Sequence, residues 1–486
     1  MRQIYRQLAT VIVVGLLISA GVSPVFAGSS ACDRRNNNTV RKLTECVTVD
    51  GVREHHWALQ AIADANGGTR VSGSPGYDQS VNYVESMLLE AGYNVTVQPF
   101  DHSVFYQTGP STLEQTSPGS VVYAENTDYL VMSQTEAGDV AAQVTAVDLD
   151  LGLGNASTSG CEAADFFGFP AGNIALLQRG ACNFQVKAEN AAAAGAIGAI
   201  IFNQGNVPDR TDVFLGTLGQ AYSGGIPVVS SSYGRGVEWA STPGLILHMV
   251  VDVFREVVTD YNVFAETNAG DPGNVVVVGA NLDSNNAGPG INNNGSGSAA
   301  ILEVALKMAK VKPENMVRFA WWGGAQSGLI GSTEYITSLS PDELDQIALY
   351  LDFSMIGSPN FVRFIYDGDG SDFGLPGPAG SDNIEAFFEG FYASRGLEFE
   401  PTEISFRSDY SAFYSYGIPF GGLFTGAEGI KTADQAAIFG GTVGEQFDPC
   451  YQLACDTFDN VSLEVLDVNA DAVASAVLHY AMTGRP

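Results

Sequence analysis

Two loops of this sequence hold the side chains best suited to contact a ligand. The first loop, Asn281 to Ser298, reads NLDSNNAGPGINNNGSGS, and the second, Gly323 to Ser332, reads GGAQSGLIGS. Asparagine and glutamine side chains donate and accept hydrogen bonds, but they offer a metal ion only a neutral carbonyl oxygen. The residue types of these two loops therefore decide what a site built from them can do.

Other patterns typical of catalysis are missing. The 5 histidines stand at positions 55, 56, 102, 248 and 479, and no two of them are spaced i,i+4. The sequence contains no HExxH, no paired CxxC and no GxSxG motif. His55 and His56 are neighbours on a predicted helix, so their side chains diverge, and we predict that both lie at the surface.

The elements around the two loops predict a parallel sheet. The apolar runs Val275 to Gly279 and Val317 to Trp322 are typical of strands buried on both faces. A helical segment separates them, so the three elements form a βαβ unit. Ligands bind such sheets at the carboxyl ends of the strands, which is where both loops begin.

The chain before this unit shows two different sequence patterns. From Val52 to Phe100 the pattern is helix, Gly-rich turn, helix and strand, and Gly92 ends the second helix. These elements are too few to close a core, so we expect them to pack against a later part of the chain. Between about Thr116 and Asp252 the sequence changes to short β runs, small residues and one alanine-rich helix.

Composition and charge narrow the possible partners. The chain has 486 residues, 45% of them hydrophobic and 16% charged, which leaves room for more than one domain and excludes a mainly disordered protein. Its 54 Asp and Glu residues against 22 Lys and Arg give a net charge of -32. Such an acidic protein repels phosphate backbones, so we expect no nucleic-acid partner.

The N-terminus predicts export. Arg2 and Arg6 precede the apolar run Leu8 to Leu17, and small residues lead to Ala27, which is typical of a signal peptide over residues 1–27. We therefore expect a secreted protein, extracellular or periplasmic, with no stable membrane insertion after signal cleavage. The 6 cysteines form three local couples and, in an exported chain, favour disulfides, although other connectivities stay open. The couples are Cys32 with Cys46, Cys161 with Cys182, and Cys450 with Cys455.

The segment Gly168 to Asn206 carries a first family resemblance. It reads as a strand, a loop with the motif RGACNF, an alanine helix and a strand ending in IIFN. This pattern resembles the protease-associated domain, a non-catalytic insertion of secreted peptidases and receptors. The resemblance implies a module that shapes access of substrates or partners.

A second resemblance is carried by motifs from Val275 onward. The sequence has GANLDS, GPGINNNGSG and FAWWGGAQ, followed by YLDFSMIGSPN, RSDYSAF, GGLFTGAEGIKT and FDPCYQLACDT. These resemble the secreted di-zinc aminopeptidases of the aminopeptidase Y type, whose core pattern is GAHLDS, GPGINDNGSG and FAWWGAEE. The resemblance implies an α/β fold: a three-layer zinc-exopeptidase-like mixed, mainly parallel sheet with helices on both faces, plus an inserted α/β protease-associated domain. The implied domains are residues 28–115 and 253–486 for the peptidase-like part and 116–252 for the insertion.

The resemblance also shows what has changed. The metal ligands of the family, two histidines and three carboxylates, fall on Asn281, Asn293, Gln326, Ser354 and Gln452. The general-base glutamate falls on Ala325, whereas the oxyanion-stabilising tyrosine is retained as Tyr451. Flanking residues match on both sides of each change, so a slipped alignment does not explain them. We therefore expect no cofactor, although the family uses two zinc ions.

The resulting hypothesis is a catalytically inactive aminopeptidase homologue, a pseudoenzyme that binds a peptide or protein. Without zinc the pKa of the water rises from about 7 towards its value in bulk water, and loss of the base costs roughly another 10²- to 10⁴-fold in rate. The pocket candidates are Asn281, Asp283, Asn293, Gln326, Ser354, Asp409, Tyr451 and Gln452.

Three alternatives stay open. The first is an active secreted metallo-aminopeptidase with atypical metal ligands. The second is a hard-cation site that uses acidic residues within the matching motifs, and the third is a paralogue without function. The acidic residues concerned are Asp283, Asp352, Asp409, Asp448 and Glu428.

Overall fold

The computed structural model describes residue 32 and residues 34–208 and 210–486. The predicted signal peptide, residues 1–27, lies outside the described residues. Among the described residues, no helix has both the length and the apolar character needed to cross a membrane.

The first three elements of the described chain are helices, five strands follow, and helices and strands are then mixed. The strands are β1 Asn94–Gln107, β2 Thr112–Ser117, β3 Val121–Tyr123, β4 Tyr129–Val131, β5 Gly138–Ala146, β6 Ile174–Gln178, β7 Gly198–Phe202, β8 Val228–Ser231, β9 Ile246–Val251, β10 Val253–Glu266, β11 Asp271–Asn281, β12 Asn315–Trp322, β13 Ile347–Phe353, β14 Phe364–Tyr366, β15 Glu400–Thr402 and β16 Phe420–Phe424. The α-helices are α1 Val40–Thr44, α2 Val49–Ala65, α3 Pro75–Ala91, α4 Phe184–Ala193, α5 Tyr233–Ser241, α6 Ser296–Met308, α7 Ile330–Ser338, α8 Pro341–Gln346, α9 Ser381–Ser394, α10 Tyr410–Ser415, α11 Ala433–Phe439 and α12 Leu463–Thr483.

One sheet carries the predicted βαβ unit. Its strand order is β1-β10-β12-β11-β13-β16-β14-β15. The central strands β12, β11, β13 and β16 are parallel, β14 pairs with β15 in parallel, and the remaining pairs are antiparallel. The mixed, mainly parallel sheet predicted from the sequence is therefore confirmed.

The valine run of β11 is buried on both faces of this sheet. Val276 and Val278 pack in a core cluster with residues of α6 and α12. Val275 and Val277 face the opposite way and pack with residues of α7 and α10. Side chains alternate between the two faces of a strand, so an uninterrupted apolar run needs a helix layer on each side. These two layers make the three-layer architecture.

The early helices complete the first of these cores. Residues of α2 and α3, among them Leu59 and Tyr77, belong to the same buried cluster as Val276 and Val278. Gly92 ends α3 in the left-handed conformation, with φ 91°. The expectation that this segment packs against a later part of the chain is confirmed.

The prediction that His55 and His56 lie at the surface is wrong. Both side chains are buried, because α2 packs in the same core as α6. His55 Nδ1 lies 2.6 Å from the Tyr83 hydroxyl, and its Nε2 lies 3.5 Å from Glu303 on α6. Burial, with Arg53 nearby, lowers the pKa of His56 well below its usual value, so this side chain is neutral.

A second sheet is built from residues between β1 and β10. Its order is β3-β2-β9-β5-β6-β7-β8-β4. β1 and β10 pair antiparallel from Asn94 opposite Glu266 to Gln107 opposite Val253, so the chain leaves the first sheet and returns to it along one ribbon. The predicted strand, alanine helix and strand of the insertion are β6, α4 and β7.

The cysteines pair with their sequence neighbours. The disulfides join Cys32 to Cys46, Cys161 to Cys182, and Cys450 to Cys455. The last of these closes the short segment that carries Tyr451 and Gln452.

Gly297, in the first turn of α6, tests how tightly this helix packs on the sheet. A Cβ atom there would lie 2.0 Å from the backbone oxygen of Phe353. We expect Gly297→Ala to lower the free energy of unfolding by about 1–3 kcal/mol, the usual cost of overpacking. Gly234→Ala in α5 is the control, because a Cβ there meets nothing within 4 Å and should stabilise by roughly 0.5–1 kcal/mol. Urea unfolding measures both, and equal stability of Gly297→Ala and the natural protein would contradict the tight contact.

Candidate functional site

The carboxyl ends of the parallel strands converge on one cleft. β11 ends at Asn281, and Ala325 and Gln326 follow β12. Ser354 follows β13, and Gln452 comes from the segment closed by the Cys450–Cys455 disulfide. Four parallel strands end at the same edge, so positions far apart in sequence line a single cavity of about 190 Å³.

The structure brings together all of the predicted pocket residues except one. The predicted residues that line the cleft are Asn281, Asn293, Gln326, Ser354, Asp409, Tyr451 and Gln452, with Ala325 beside them. Asp283 lies instead in an adjoining cavity, where Gln326 and Gln452 form the shared wall. The two cavities meet at these glutamines.

Amide side chains bond to one another across the cleft. Gln452 Nε2 donates to Gln326 Oε1 at 2.7 Å, and Gln326 Nε2 donates to Asn293 Oδ1 at 3.4 Å. We call these three residues the amide chain. The carbonyl oxygens of Gln326 and Asn293 are therefore already engaged by amide groups. The amide chain lines the cleft with uncharged groups.

Asn281 is held by the carboxylate that follows it. Its Nδ2 donates to Asp283 Oδ1 at 3.1 Å, and the backbone N–H of Gln326 donates to Asp283 Oδ2 at 2.9 Å. Asp283 thus links the ends of β11 and β12. Burial raises the pKa of Asp283 to about 6.

Two further buried carboxyl groups are those of Asp409, which lines the cleft, and Asp352, which does not. Asp352 accepts hydrogen bonds from the Ser408 hydroxyl at 2.6 Å and the Tyr350 hydroxyl at 2.9 Å. Burial raises the pKa of Asp352 to about 6. Burial and the nearby Asp352 raise the pKa of Asp409 well above its usual value.

Two polar atoms of the cleft lining have no protein partner. Asn293 Nδ2 and Asp409 Oδ1 are both buried and form no hydrogen bond among the described residues. Buried polar groups are almost always hydrogen-bonded, so unsatisfied ones mark a position for a ligand or water. One of the two atoms belongs to an amide and the other to a carboxyl group, so the cleft has unused capacity for polar recognition.

Three of the seven non-glycine residues with positive φ among the described residues line the cleft. Leu329, Met355 and Gln452 all line the cleft and all have positive φ angles, of 59°, 50° and 59°. Side-chain-bearing residues rarely adopt this conformation, which is found preferentially at functional sites.

Sequence reasoning missed part of the cleft rim. Arg407 donates to Glu428 Oε1 at 2.6 Å and to the hydroxyl of Tyr451 at 3.2 Å. Arg407 stands in the motif RSDYSAF, which could have identified it. Tyr366 and Thr402 end β14 and β15 and also line the cleft, but they belong to no recognised motif, so only the strand pairing brings them there.

The fold and the cleft define the class of protein: an α/β exopeptidase-like domain with a second, inserted sheet. Residues 262–477 match the model of peptidase family M28, and residues 140–239 match the PA domain. The chain is 56% identical over 432 residues to an aminopeptidase of Pseudomonas aeruginosa, covering 89% of this chain and 81% of that protein. It is 40% identical to leucine aminopeptidase 2 of Trichophyton equinum, covering 87% of this chain and 82% of the relative. This protein belongs to peptidase family M28.

Solved structures agree with this assignment. The aminopeptidase from Aneurinibacillus sp. strain AM-1 superposes with a TM-score of 0.65 at 27% identity, covering 92% of this chain and 97% of that one. BSAP, a zinc aminopeptidase from Bacillus subtilis, shares the fold with a TM-score of 0.55 at 21% identity, covering 90% and 95%. Membership in peptidase family M28 points to zinc use. The prediction that no cofactor is expected is therefore wrong.

The five ligand-equivalent side chains do not fit two zinc ions, however. Such a site needs imidazole and carboxylate donors, whereas this chain presents four amides and one hydroxyl. Two of the amide oxygens accept hydrogen bonds within the amide chain, and Asn281 is bound to Asp283. Zinc use by this chain therefore needs donors other than these five side chains.

Proposed function

We propose that this protein is an exported M28 aminopeptidase homologue that binds the N-terminal segment of a peptide or protein without hydrolysing it. The observation that carries the proposal is the amide chain Gln452–Gln326–Asn293, with Ala325 at the base position. The amide chain lines the cleft without charge and provides no group that can take a proton from water.

The capacity to bind rests on a second feature of the cleft. The unpartnered atoms of Asn293 and Asp409 can bond to the polar groups of a peptide backbone. Glu403 also lines the cleft and supplies a carboxylate for a terminal ammonium group. Export is supported by the predicted signal peptide, and three disulfides are compatible with it.

Inactivity in this proposal does not depend on whether zinc is bound. General-base catalysis contributes roughly 10²- to 10⁴-fold, and Ala325 cannot supply it even with a metal in the cleft. Carboxylates clustered at these positions without cations would repel one another. The amide side chains found here avoid that repulsion. The cleft can therefore persist as a binding site.

The test joins binding and turnover in one prediction. We expect a fluorescent peptide with a free N-terminus to bind saturably, and Gln326→Phe to weaken binding by about tenfold or more, since the larger side chain fills the cleft. N-acetylation of the peptide should weaken binding similarly. The control Gln79→Phe changes an exposed position of α3 and should leave affinity unchanged.

Turnover is measured on the same preparation. With added zinc we expect no release of the anilide from an aminoacyl-anilide, whatever the zinc content found by metal analysis. Turnover that disappears with a chelator would overturn the proposal.

That outcome would favour a second candidate, an active metallo-aminopeptidase with atypical ligands. It is supported by the 56% identity to a named aminopeptidase and by the buried carboxyl groups of Asp283, Asp352 and Asp409 near the cleft. Neutralising one of these carboxyl groups should then abolish turnover, whereas binding without turnover leaves no role for them in catalysis.

A further inference from the structure

Three carboxyl groups meet outside the cleft, next to β14. Asp367 directly follows this strand, Asp369 is two residues further on, and Glu385 lies on α9. One carboxylate oxygen from each residue lies within 4.8 Å of the other two. Asp367 and Glu385 are buried, whereas Asp369 is exposed. We call these three residues the acidic triad.

Hydrogen bonds from the backbone hold the triad in place. Asp367 Oδ2 accepts from the N–H groups of Asp372 at 3.2 Å and Phe373 at 2.8 Å. Glu385 Oε2 accepts from the N–H groups of Gly368 at 2.9 Å and Asp369 at 3.0 Å. The loop after β14 is thus folded around these two carboxylates.

One oxygen of the triad has no partner. Asp367 Oδ1 is buried and forms no hydrogen bond among the described residues, and the Asp367 side chain is completely inaccessible to solvent. A buried carboxylate oxygen that no donor satisfies costs free energy, which coordination to a cation removes. This atom therefore points to a ligand, independently of the clustering of acidic residues.

The triad also has no cationic side chain to balance it. Within the described ranges, no Lys, Arg or His forms an ion pair with Asp367, Asp369 or Glu385. Buried charges in proteins are paired or coordinate metal ions. A bound cation would supply the counter-charge that the side chains around the triad do not.

We propose that the acidic triad is a calcium site. Its donors are all oxygens, which favours a hard cation over zinc or copper. Calcium accepts irregular arrangements of six to eight oxygens, including water, whereas magnesium requires a near-ideal octahedron. Asp369 is exposed, so water can reach that side of the triad.

The local sequence supports calcium in a limited way. The run DGDGS places Asp367, Asp369 and Ser371 at the first, third and fifth positions of a calcium-binding loop. The pattern departs from the EF-hand at the sixth and twelfth positions, where Asp372 and Pro378 stand. Here Glu385 of α9 supplies the carboxylate that the loop itself lacks.

Calcium at this position ties the loop and α9 to the end of β14. Tyr366, the last residue of that strand, lines the cleft, and its ring lies 4.9 Å from that of Tyr410. The ion therefore supports one wall of the cleft, so its removal should loosen that wall.

The test uses the full mature chain stripped of metal with EDTA and titrated with calcium chloride by calorimetry. We expect one saturable site, a rise in the thermal unfolding midpoint with calcium, and a clearly smaller rise with magnesium at equal concentration. The double variant Asp367→Asn/Glu385→Gln should weaken calcium binding by about tenfold or more. It keeps an acceptor oxygen for the backbone N–H groups, so it is expected to fold.

The control Glu334→Gln/Asp342→Asn removes two exposed carboxylates elsewhere and should leave affinity unchanged. Asp369→Asn, at an exposed position, repeats the test if the double variant does not fold. Absence of a saturable site, equal affinity for magnesium, or unchanged calcium binding in the triad variant would overturn the proposal. None of these readouts depends on peptide binding or turnover, so the proposed function stands or falls separately.

Discussion

Reversing the six substitutions in the cleft is expected to produce an active zinc aminopeptidase. The changes are Asn281→His, Asn293→Asp, Ala325→Glu, Gln326→Glu, Ser354→Asp and Gln452→His. Together they would supply the imidazole and carboxylate donors that zinc prefers, and a glutamate to take the proton from water. We expect a large increase in zinc affinity and chelator-sensitive turnover of an aminoacyl-anilide.

The expectation rests on how little else must move. All six positions already surround one cavity, and Tyr451 is in place beside them. Asp283, which bonds to Asn281 now, can accept a hydrogen bond from an imidazole N–H at the same position and so orient it. Four of the six changes replace an amide side chain by a carboxylate or imidazole of comparable size, whereas Ala325→Glu and Ser354→Asp add atoms that the cavity must take up.

Two partial variants separate binding from chemistry. The variant with the five ligand changes but with Ala325 retained should bind zinc and yet turn over roughly 10²- to 10⁴-fold more slowly than the complete one. The variant with Ala325→Glu alone should remain inactive, because it lacks the donor set. If the complete variant folds, binds two zinc ions and still shows no turnover, the cleft has lost more than its ligands.

The sequence predicted the sheet well because burial on both faces leaves a clear signal. The four valines from Val275 to Val278 could only be a central strand, and β11 is indeed flanked by β12 and β13. His55 and His56 could not be placed in the same way. Their burial depends on α6 covering α2, a contact between segments about 250 residues apart that local periodicity does not report.

The residues that line the cleft could be predicted from the sequence only where they lie in motifs typical of the family. Asn281, Gln326 and Gln452 were found because their flanking residues are typical of the family, and the structure gathers them at one edge. Tyr366 and Thr402 reach the cleft through pairing of the short strands β14 and β15, whose few residues carry no periodic signal. The hydrogen bonds of the amide chain depend on side-chain geometry, which sequence alone does not give.

The expectation of no cofactor failed for a related reason. It was argued from five ligand positions, whereas membership in peptidase family M28 rests on a match over 89% of this chain. Membership in the family indicates that zinc is used. The side chains at the five ligand positions indicate that zinc would have to be held elsewhere. Metal analysis of the natural protein and of the reversed variant compares them directly.

Replacement of Arg70 is expected to cause the largest loss of stability of any single change considered. This side chain is completely buried and donates to the backbone oxygens of Leu282, Pro289 and Gly290, the last two at 3.0 and 3.1 Å. Its backbone N–H also donates to Ser284 Oγ at 2.8 Å. Arg70 thus fixes the loop that follows β11, which carries Asp283 and leads to Asn293.

Arg70→Met should lower the free energy of unfolding by about 3–5 kcal/mol, the usual cost of removing one partner from a buried charged network. Three carbonyl oxygens would lose their donor, and the nearby Asp283 carboxyl would lose a balancing charge. Urea unfolding followed by tryptophan fluorescence measures this loss. Arg407→Met is the control, because Arg407 is 57% exposed and its pair with Glu428 should contribute at most about 1 kcal/mol. A loss for Arg70→Met no larger than that of the control would mean that the loop holds its conformation without Arg70, and peptide binding by this variant should then be unchanged.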